Sequence, residues 1–440
     1  MQEPELKEKF RAFVDAVQDE LADEFHLVEK QPTKQILEYD RGEITWRDDV
    51  RLKFEKFFYQ RHKAIRDLAE YDECLDFAIG NYEVISKYHN NRRGLGEILI
   101  GFAVNVFAEN NRNLTFTDHE FEKVYLEYKR DLLAEEFLVR SFVPLHGLSY
   151  EGELIELDDK SRIRRVQKSD IELVTDFESP MGGSIPEDWD DTSTHFLFEF
   201  EQVVEKTVNS IGCGNIGFEE LREAQHRIRS VITALRLAFP GDVGYSNHYD
   251  HSPCAWGGEI TTRRRTVRPL FVVGSMEATD IDELKRLYDM LKSMDFESME
   301  PNQKMSVERF NSSYIRESDR VAFADLMIVA EALCSGKSNL SKNMLAQRVA
   351  IILGDDFEER QNIFDGFSNL YDERSGVWGV AHGGGKTTLG EDSLETARRY
   401  VERLLLFFLE NRDDYDGHGA ILRELADEIE KNHLEVSFPE

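Results

Sequence analysis

Hydrophobic spacing changes character twice along this 440-residue chain, and that constrains its fold more than any single motif. Over 3–135 apolar residues recur every three or four positions, as in DDVRLKFEKFFYQRHKAIRDLAEYDECLDFAIGNY, which predicts helices. GEILIGFAVNVFAEN predicts a mostly buried one. Over 136–280 the runs FVPLHGL, ELIELDD, RIRRVQ, HFLFEFEQVV and VRPLFVVG alternate, or cluster β-branched and aromatic residues, between Gly, Pro and Asp. Such runs predict strands. One helix, EELREAQHRIRSVITALRLAF, interrupts them, and from 281 the helical spacing returns. The expected fold is α+β and mainly α, in three regions: helical 1–135, β-containing 136–280 and a helical bundle over 281–440.

Composition narrows the function classes. An apolar fraction of 41% with 11% aromatics supports packed cores. The net charge of −32, from 86 acidic and 54 basic residues, makes the surface as a whole repel nucleic acid. With Arg the more frequent cation, such a surface suits a salt-rich cytoplasm that screens charge. No apolar run nears the roughly 18 residues of a membrane span, and the charged start MQEPELKEKF is unlike a secretory leader. Cys74, Cys213, Cys254 and Cys334 lie far apart with no CxxC, so neither disulfides nor a zinc framework is expected, and a reducing cytoplasm is.

Three motifs suggest chemistry and weaken on inspection. Gly385-Lys386-Thr387 resembles the end of a phosphate-cradling loop, but the first glycine of that loop would fall at 380, which is Val380. The preceding FEERQNIFDGFSNLYDER is spaced like a helix, where such a loop needs a strand. Gly383 to Gly385 read more simply as a loop before a helix capped at Asp392, with Glu395 three residues on. Gly212-Cys-Gly214-Asn-Ile-Gly217 is a literal GxGxxG, yet EQVVEKTVNSI before it is no buried strand. SNHYDHSPC holds His248, Asp250, His251 and Cys254, all of metal-binding type, without a second ligand pair elsewhere; a polar loop is the plainer expectation. No metal or cofactor is expected.

Two basic islands contrast with the acidic background. If RIRRVQK and TTRRRTVR are strands, Arg162 and Arg164 share one face, as do Arg263 and Arg265. Such rows could grip phosphate or pair with the abundant carboxylates.

The C-terminal third carries the most information. RFNSSYIRESDRVAFADLMIVAEALCS predicts one long helix, with Phe310, Tyr314, Val321, Ala324 and Ile328 on an apolar stripe. Three residues further the stripe reaches Glu331, a carboxylate where an apolar residue is expected. On a later helix Arg374 likewise extends the stripe of Phe364, Phe367 and Tyr371. An acid and an arginine both aimed inward predict a pair across the bundle. Residues 301–350, which include Arg316 and Arg320, hold seven Lys/Arg against five Asp/Glu.

Over about 300–412 the chain resembles the HEPN superfamily, specifically its ApeA-like group. The residues concerned are SDRVAFADLMIVAEAL with Glu331, SNLYDERS with Arg374 and Ser375, HGG at His382, and the closing helix LETARRYVERLLLFFLEN. Upstream, FVPLHGLSYEGELIELDDKSRIRRV resembles material accompanying such domains. The resemblance implies a helical bundle that commonly dimerises. It further implies a metal-independent endoribonuclease, often a toxin or antiviral defence effector, acting on RNA such as tRNA. Its motif is Arg, a polar residue and a later His, matched here by Arg374, Ser375 and His382, with Glu331 joining the site. Seven residues, SGVWGVA, separate Arg374 from His382, more than is usual for the family, and Gly376 and Gly379 could let the chain bulge there. A non-catalytic module binding RNA or a partner protein is the alternative.

Overall fold

The computed structural model describes residues 3–422 and 424, except 29–30, 32–34, 41–42, 49, 90, 110–113, 168, 172, 174–195, 207–217, 239–241, 246, 253, 256–258, 265–273, 297, 317, 336–340, 382–388, 391 and 412–419. The order of elements is helices, then strands with one helix among them, then helices, an α+β arrangement that is mainly α. By compactness the chain divides into two units that interleave in sequence. One is Met1–Pro144, Glu153–Gln225 and Asn247–Arg264; the other is Leu145–Gly152, His226–Ser246 and Arg265–Glu440.

The first unit begins with α1 (Glu3–Leu21), a hairpin of β1 (Gln35–Asp40) and β2 (Glu43–Asp48), then α2 (Val50–Arg66), α3 (Ala69–Asn81), α4 (Glu83–Tyr88), α5 (Arg92–Glu109) and α6 (Asp118–Leu133). The β1–β2 pair corrects the expectation of helices throughout 3–135: the two six-residue strands pair antiparallel from Gln35 opposite Asp48 to Asp40 opposite Glu43. Helix α5 is buried on nearly every side, and Phe102 meets Phe10, Phe121 and Tyr128 edge-on at 4.8, 5.6 and 5.1 Å between centroids. Thr117 and Glu120 close a reciprocal capping box at the start of α6.

Six strands form the sheet of this unit: β3 (Glu136–Leu145), β5 (Leu154–Glu156), β6 (Ser161–Arg165), β7 (Phe196–Glu205), β8 (Asn247–Ser252) and β9 (Glu259–Arg264), in the order β5-β6-β7-β3-β8-β9. SNHYDHSPC is therefore largely a strand, not a loop: Tyr249 and Asp250 are fully buried, because β8 is an interior strand. Among the described residues no group of three or more His, Cys, Asp and Glu could hold a metal. Cys254, just past β8, is disulfide-bonded, which corrects the expectation of none; separation in sequence does not limit proximity in the fold. Cys74 and Cys334 are free and buried. VRPLFVVG and the GxGxxG segment fall mainly or wholly outside the described residues.

The second unit pairs β4 (Leu148–Tyr150) in parallel with β10 (Gly274–Met276) and contains the later part of α7 (Phe218–Ala238). It continues with α8 (Asp280–Ser293), α9 (Pro301–Ser313), α10 (Asp319–Ser335), α11 (Lys342–Leu353), α12 (Phe357–Ala381) and α13 (Ser393–Glu410). The long helix expected over 309–335 is two, because Ser318 and Asp319 open a new one: the Ala322 amide donates to the Ser318 carbonyl. Asp392 does stand at the start of α13, but its side chain makes no capping bond. No described helix is long and apolar enough to cross a membrane.

A buried polar node ties this unit together. Tyr314 lies between two guanidinium groups, Arg236 at 4.3 Å and Arg398 at 4.7 Å from its ring centroid, and donates to Glu402 at 2.7 Å. Arg236 donates to the Val243 carbonyl at 2.7 Å and to Asn311 Oδ1 at 2.7 Å, and Arg398 pairs with Asp242 at 2.7 Å. Burial raises the Glu402 carboxyl above its ordinary value. Its protonated form is therefore favoured in the folded state, and its contribution to stability is lost as pH rises above the ordinary carboxyl range. Glu402→Gln keeps an acceptor without the charge, so its unfolding free energy is expected to change less with pH in that window. Glu402→Ala leaves the Tyr314 hydroxyl without its acceptor, at a cost of about 1–3 kcal/mol in urea titrations.

Candidate functional site

The acid and the arginine that interrupt the two apolar stripes do meet. Glu331 on α10 and Arg374 on α12 form a two-pronged pair, with Arg374 Nη1 2.5 Å from Glu331 Oε1 and Nη2 2.8 Å from Oε2. Tyr371, one turn before Arg374, donates its hydroxyl to Glu331 Oε1 at 3.2 Å, and the Arg374 guanidinium lies 5.2 Å from its ring centroid. A carboxylate gripping both prongs fixes the guanidinium plane, which a single contact would leave free to rotate.

The stripe leading to Glu331 is not the core face of α10. Ala322, Phe323, Leu326, Met327, Ala330 and Leu333 are buried, whereas Ala324, Ile328 and Glu331 are half-buried and Val321 is 46% exposed. So much of α10 is apolar that the core takes most of its circumference and leaves this stripe at the rim. The Glu331–Arg374 pair is thus only partly buried, with side chains 30% and 18% exposed.

Backbone geometry overturns the expected bulge after Arg374. Helix α12 continues through Ser375, Gly376 and Gly379 to Ala381. At 1.5 Å per residue, the stretch from Arg374 to Ala381 rises about 10 Å. The Ser375 side chain and the whole of His382 lie outside the described residues, as do Gly383 to Thr387. A helix runs up to that segment where a phosphate-cradling loop requires a strand, which argues against the nucleotide reading.

The arginines expected to meet RNA separate into distinct situations. Arg162 and Arg164 share a face of β6, opposite Glu199 and Leu197 of β7. Both donate to Glu199 Oε2, at 3.0 and 2.7 Å; Arg164 also forks onto Asp170 at 2.8 Å twice, and Arg162 reaches Glu201 at 2.8 Å. Arg140 of β3 pairs with Glu199 and Asp170 as well. Burial alone would raise the Glu199 and Asp170 carboxyls; hydrogen bonds from Arg164 lead the effects that hold both below their ordinary values. Both arginines of this island are thus engaged by carboxylates, the ion pairing expected as the alternative to phosphate, with Arg162 still 39% exposed. Arg316 Nε donates to the buried Asp325 at 2.6 Å, as does Arg309 Nη1 at 2.6 Å, and Arg320 is half-buried in the first turn of α10. The side chain of Arg263, paired through its backbone with His248, and all of Arg265 lie outside the described set.

Set against protein-family models, curated proteins and solved structures, the chain matches none. Sequence reading missed Arg140, Tyr371 as a polar partner, and the Tyr314 node. Arg236 alone carried a signal, as a charge inside the apolar run VITALRLAF.

Proposed function

We propose that the C-terminal helical unit is a metal-independent endoribonuclease of HEPN type, cutting RNA such as tRNA in defence or toxicity. The observation that carries this reading is the forked Glu331–Arg374 pair, half-buried, made by residues on which the resemblance rests. In this reading Arg374, held in plane by Glu331 and Tyr371, faces the scissile phosphate as negative charge develops there. His382 draws the proton from the ribose 2′-hydroxyl or returns one to the leaving 5′-oxygen. The 2′-oxygen bonds to phosphorus, the bond to the 5′-oxygen breaks, and Ser375 lines the same turn. Incubation with total RNA and tRNA in EDTA, over a range of salt, tests it: the wild type cuts, and His382→Ala does not.

The helical run through 375–381 favours a second reading, a non-catalytic module that binds RNA or a partner protein. Binding without cleavage at every salt concentration would establish that one.

A homodimer through the C-terminal unit belongs to the proposal, since facing motifs would double the catalytic groups. The half-exposed stripe of Val321, Ala324 and Ile328 beside Glu331 would find burial there. Light scattering is expected to give twice the 51.1 kDa chain mass at micromolar concentration; a monomer in both high and low salt would count against it.

A further inference from the structure

The forked pair at the candidate site carries no net charge, because Glu331 offsets Arg374. A phosphate held there while charge builds on it calls for a further cation. Helix α10 has one basic residue, Arg320, in its first turn. Arg309 and Arg316 nearby are both bound to Asp325. The Arg320 side chain, by contrast, makes no ion pair, hydrogen bond or ring contact with any described residue.

Arg320 does not serve the pair in its own chain. Eleven residues separate it from Glu331, about 16 Å along the helix axis, which is beyond the reach of a guanidinium. Eleven residues are also three turns to within about 20°, so the two stand on one face of α10. Between them on that face lie Ala324 and Ile328, both half-buried, with Val321 46% exposed at its border. The face therefore has an unpaired guanidinium at one end and a carboxylate, 30% exposed, at the other. In the middle a small apolar residue stands beside a large one. Such a face is complementary to itself when reversed. A two-fold axis midway between Arg320 and Glu331 sets each opposite the other in a second copy, and sets Ala324 opposite Ile328.

We propose that a second copy of this chain packs α10 antiparallel on this face, so that the partner's Arg320 joins each Glu331–Arg374 pair and supplies the cation that the RNA phosphate needs. The inference rests on the nuclease reading of the site and assigns what each copy contributes: Glu331 and Arg374 come from one, Arg320 from the other. An acidic peptide on the same face would meet Arg320 and be repelled at Glu331.

Complementation between two damaged chains tests it. Arg320→Ala and Arg374→Lys are each expected to lower cleavage about 10²-fold on their own. Co-expressed, they form mixed dimers in which one of the two sites takes Arg374 from the first chain and Arg320 from the second. With half the dimers mixed, activity returns to about a quarter of the wild-type value. No recovery would overturn the proposal, since an Arg320 acting within its own chain leaves both sites of a mixed dimer defective. A second measurement does not need cleavage. Arg320→Cys and Glu331→Cys chains are co-expressed and oxidised, and a non-reducing gel should show a covalent dimer that neither variant, nor the wild type, forms alone. If that link forms and no RNA is cut, the nuclease reading fails and the pairing stands. If it is absent, or forms equally in Arg320→Cys alone, the pairing fails even where RNA is cut.

Discussion

Glu199→Ala is expected to destabilise the first unit by about 3–5 kcal/mol, the range for removing one partner of a buried ion cluster. Glu199 is 2% exposed and accepts from Arg162 and Arg164 while pairing with Arg140. Without it, Arg140 and Arg164 keep Asp170 between them but lose their second counter-charge in a place water scarcely reaches. Arg162 is more exposed and can rehydrate, which draws the cost toward the lower end of the range. Glu199→Gln should cost less, since it keeps an acceptor oxygen. Urea unfolding followed by circular dichroism reads both. The cluster also fixes a pH dependence. Glu199 and Asp170 are held below their ordinary values, so their contribution is present at neutral pH and disappears as pH falls through the folded-state values. If Glu199→Ala unfolds at the wild-type urea concentration, the cluster is not holding the sheet.

The second large effect is on cleavage. His382→Ala should lower the rate about 10²–10⁴-fold, the usual worth of a positioned proton-transfer group. Because HGGG places His382 beside three glycines in sequence, the fold should be unaffected. Arg374→Lys should be severely impaired as well, since an ammonium cannot reproduce the fork that grips both Glu331 oxygens. Glu331→Gln is the informative companion: it keeps one acceptor, loosens the guanidinium plane, and should fall between wild type and Arg374→Lys. Equal activity in all four proteins would remove Arg374 and His382 from the mechanism.

Much of this was legible in the sequence, for a physical reason. Periodicity records which face of an element is buried, and it located β3, β6, β7, α5 and α7. It also pointed to Glu331 and Arg374, because a charge that breaks an apolar stripe needs a partner. What periodicity does not record is how much of a helix is covered. For α10 the core takes most of the circumference, so the stripe through Val321 and Ile328 lies at the rim. The hairpin at 35–48 was hidden because each strand is six residues long, between stronger helical patterns. For Arg162 and Arg164 the sequence leaves phosphate and carboxylate partners both open, because Glu199 is distant along the chain and only cross-strand register sets it opposite Arg162.

The chemical form of the cut end tests the proposed mechanism most directly. With EDTA present, RNA cleaved by the wild type should leave a 5′ fragment ending in a 2′,3′-cyclic phosphate, and DNA, which lacks the attacking 2′-hydroxyl, should survive. Mass spectrometry of the fragment from a defined oligoribonucleotide shows which end is formed. A 3′-hydroxyl end, cleavage of DNA, or intact RNA at every salt concentration tried would contradict the account.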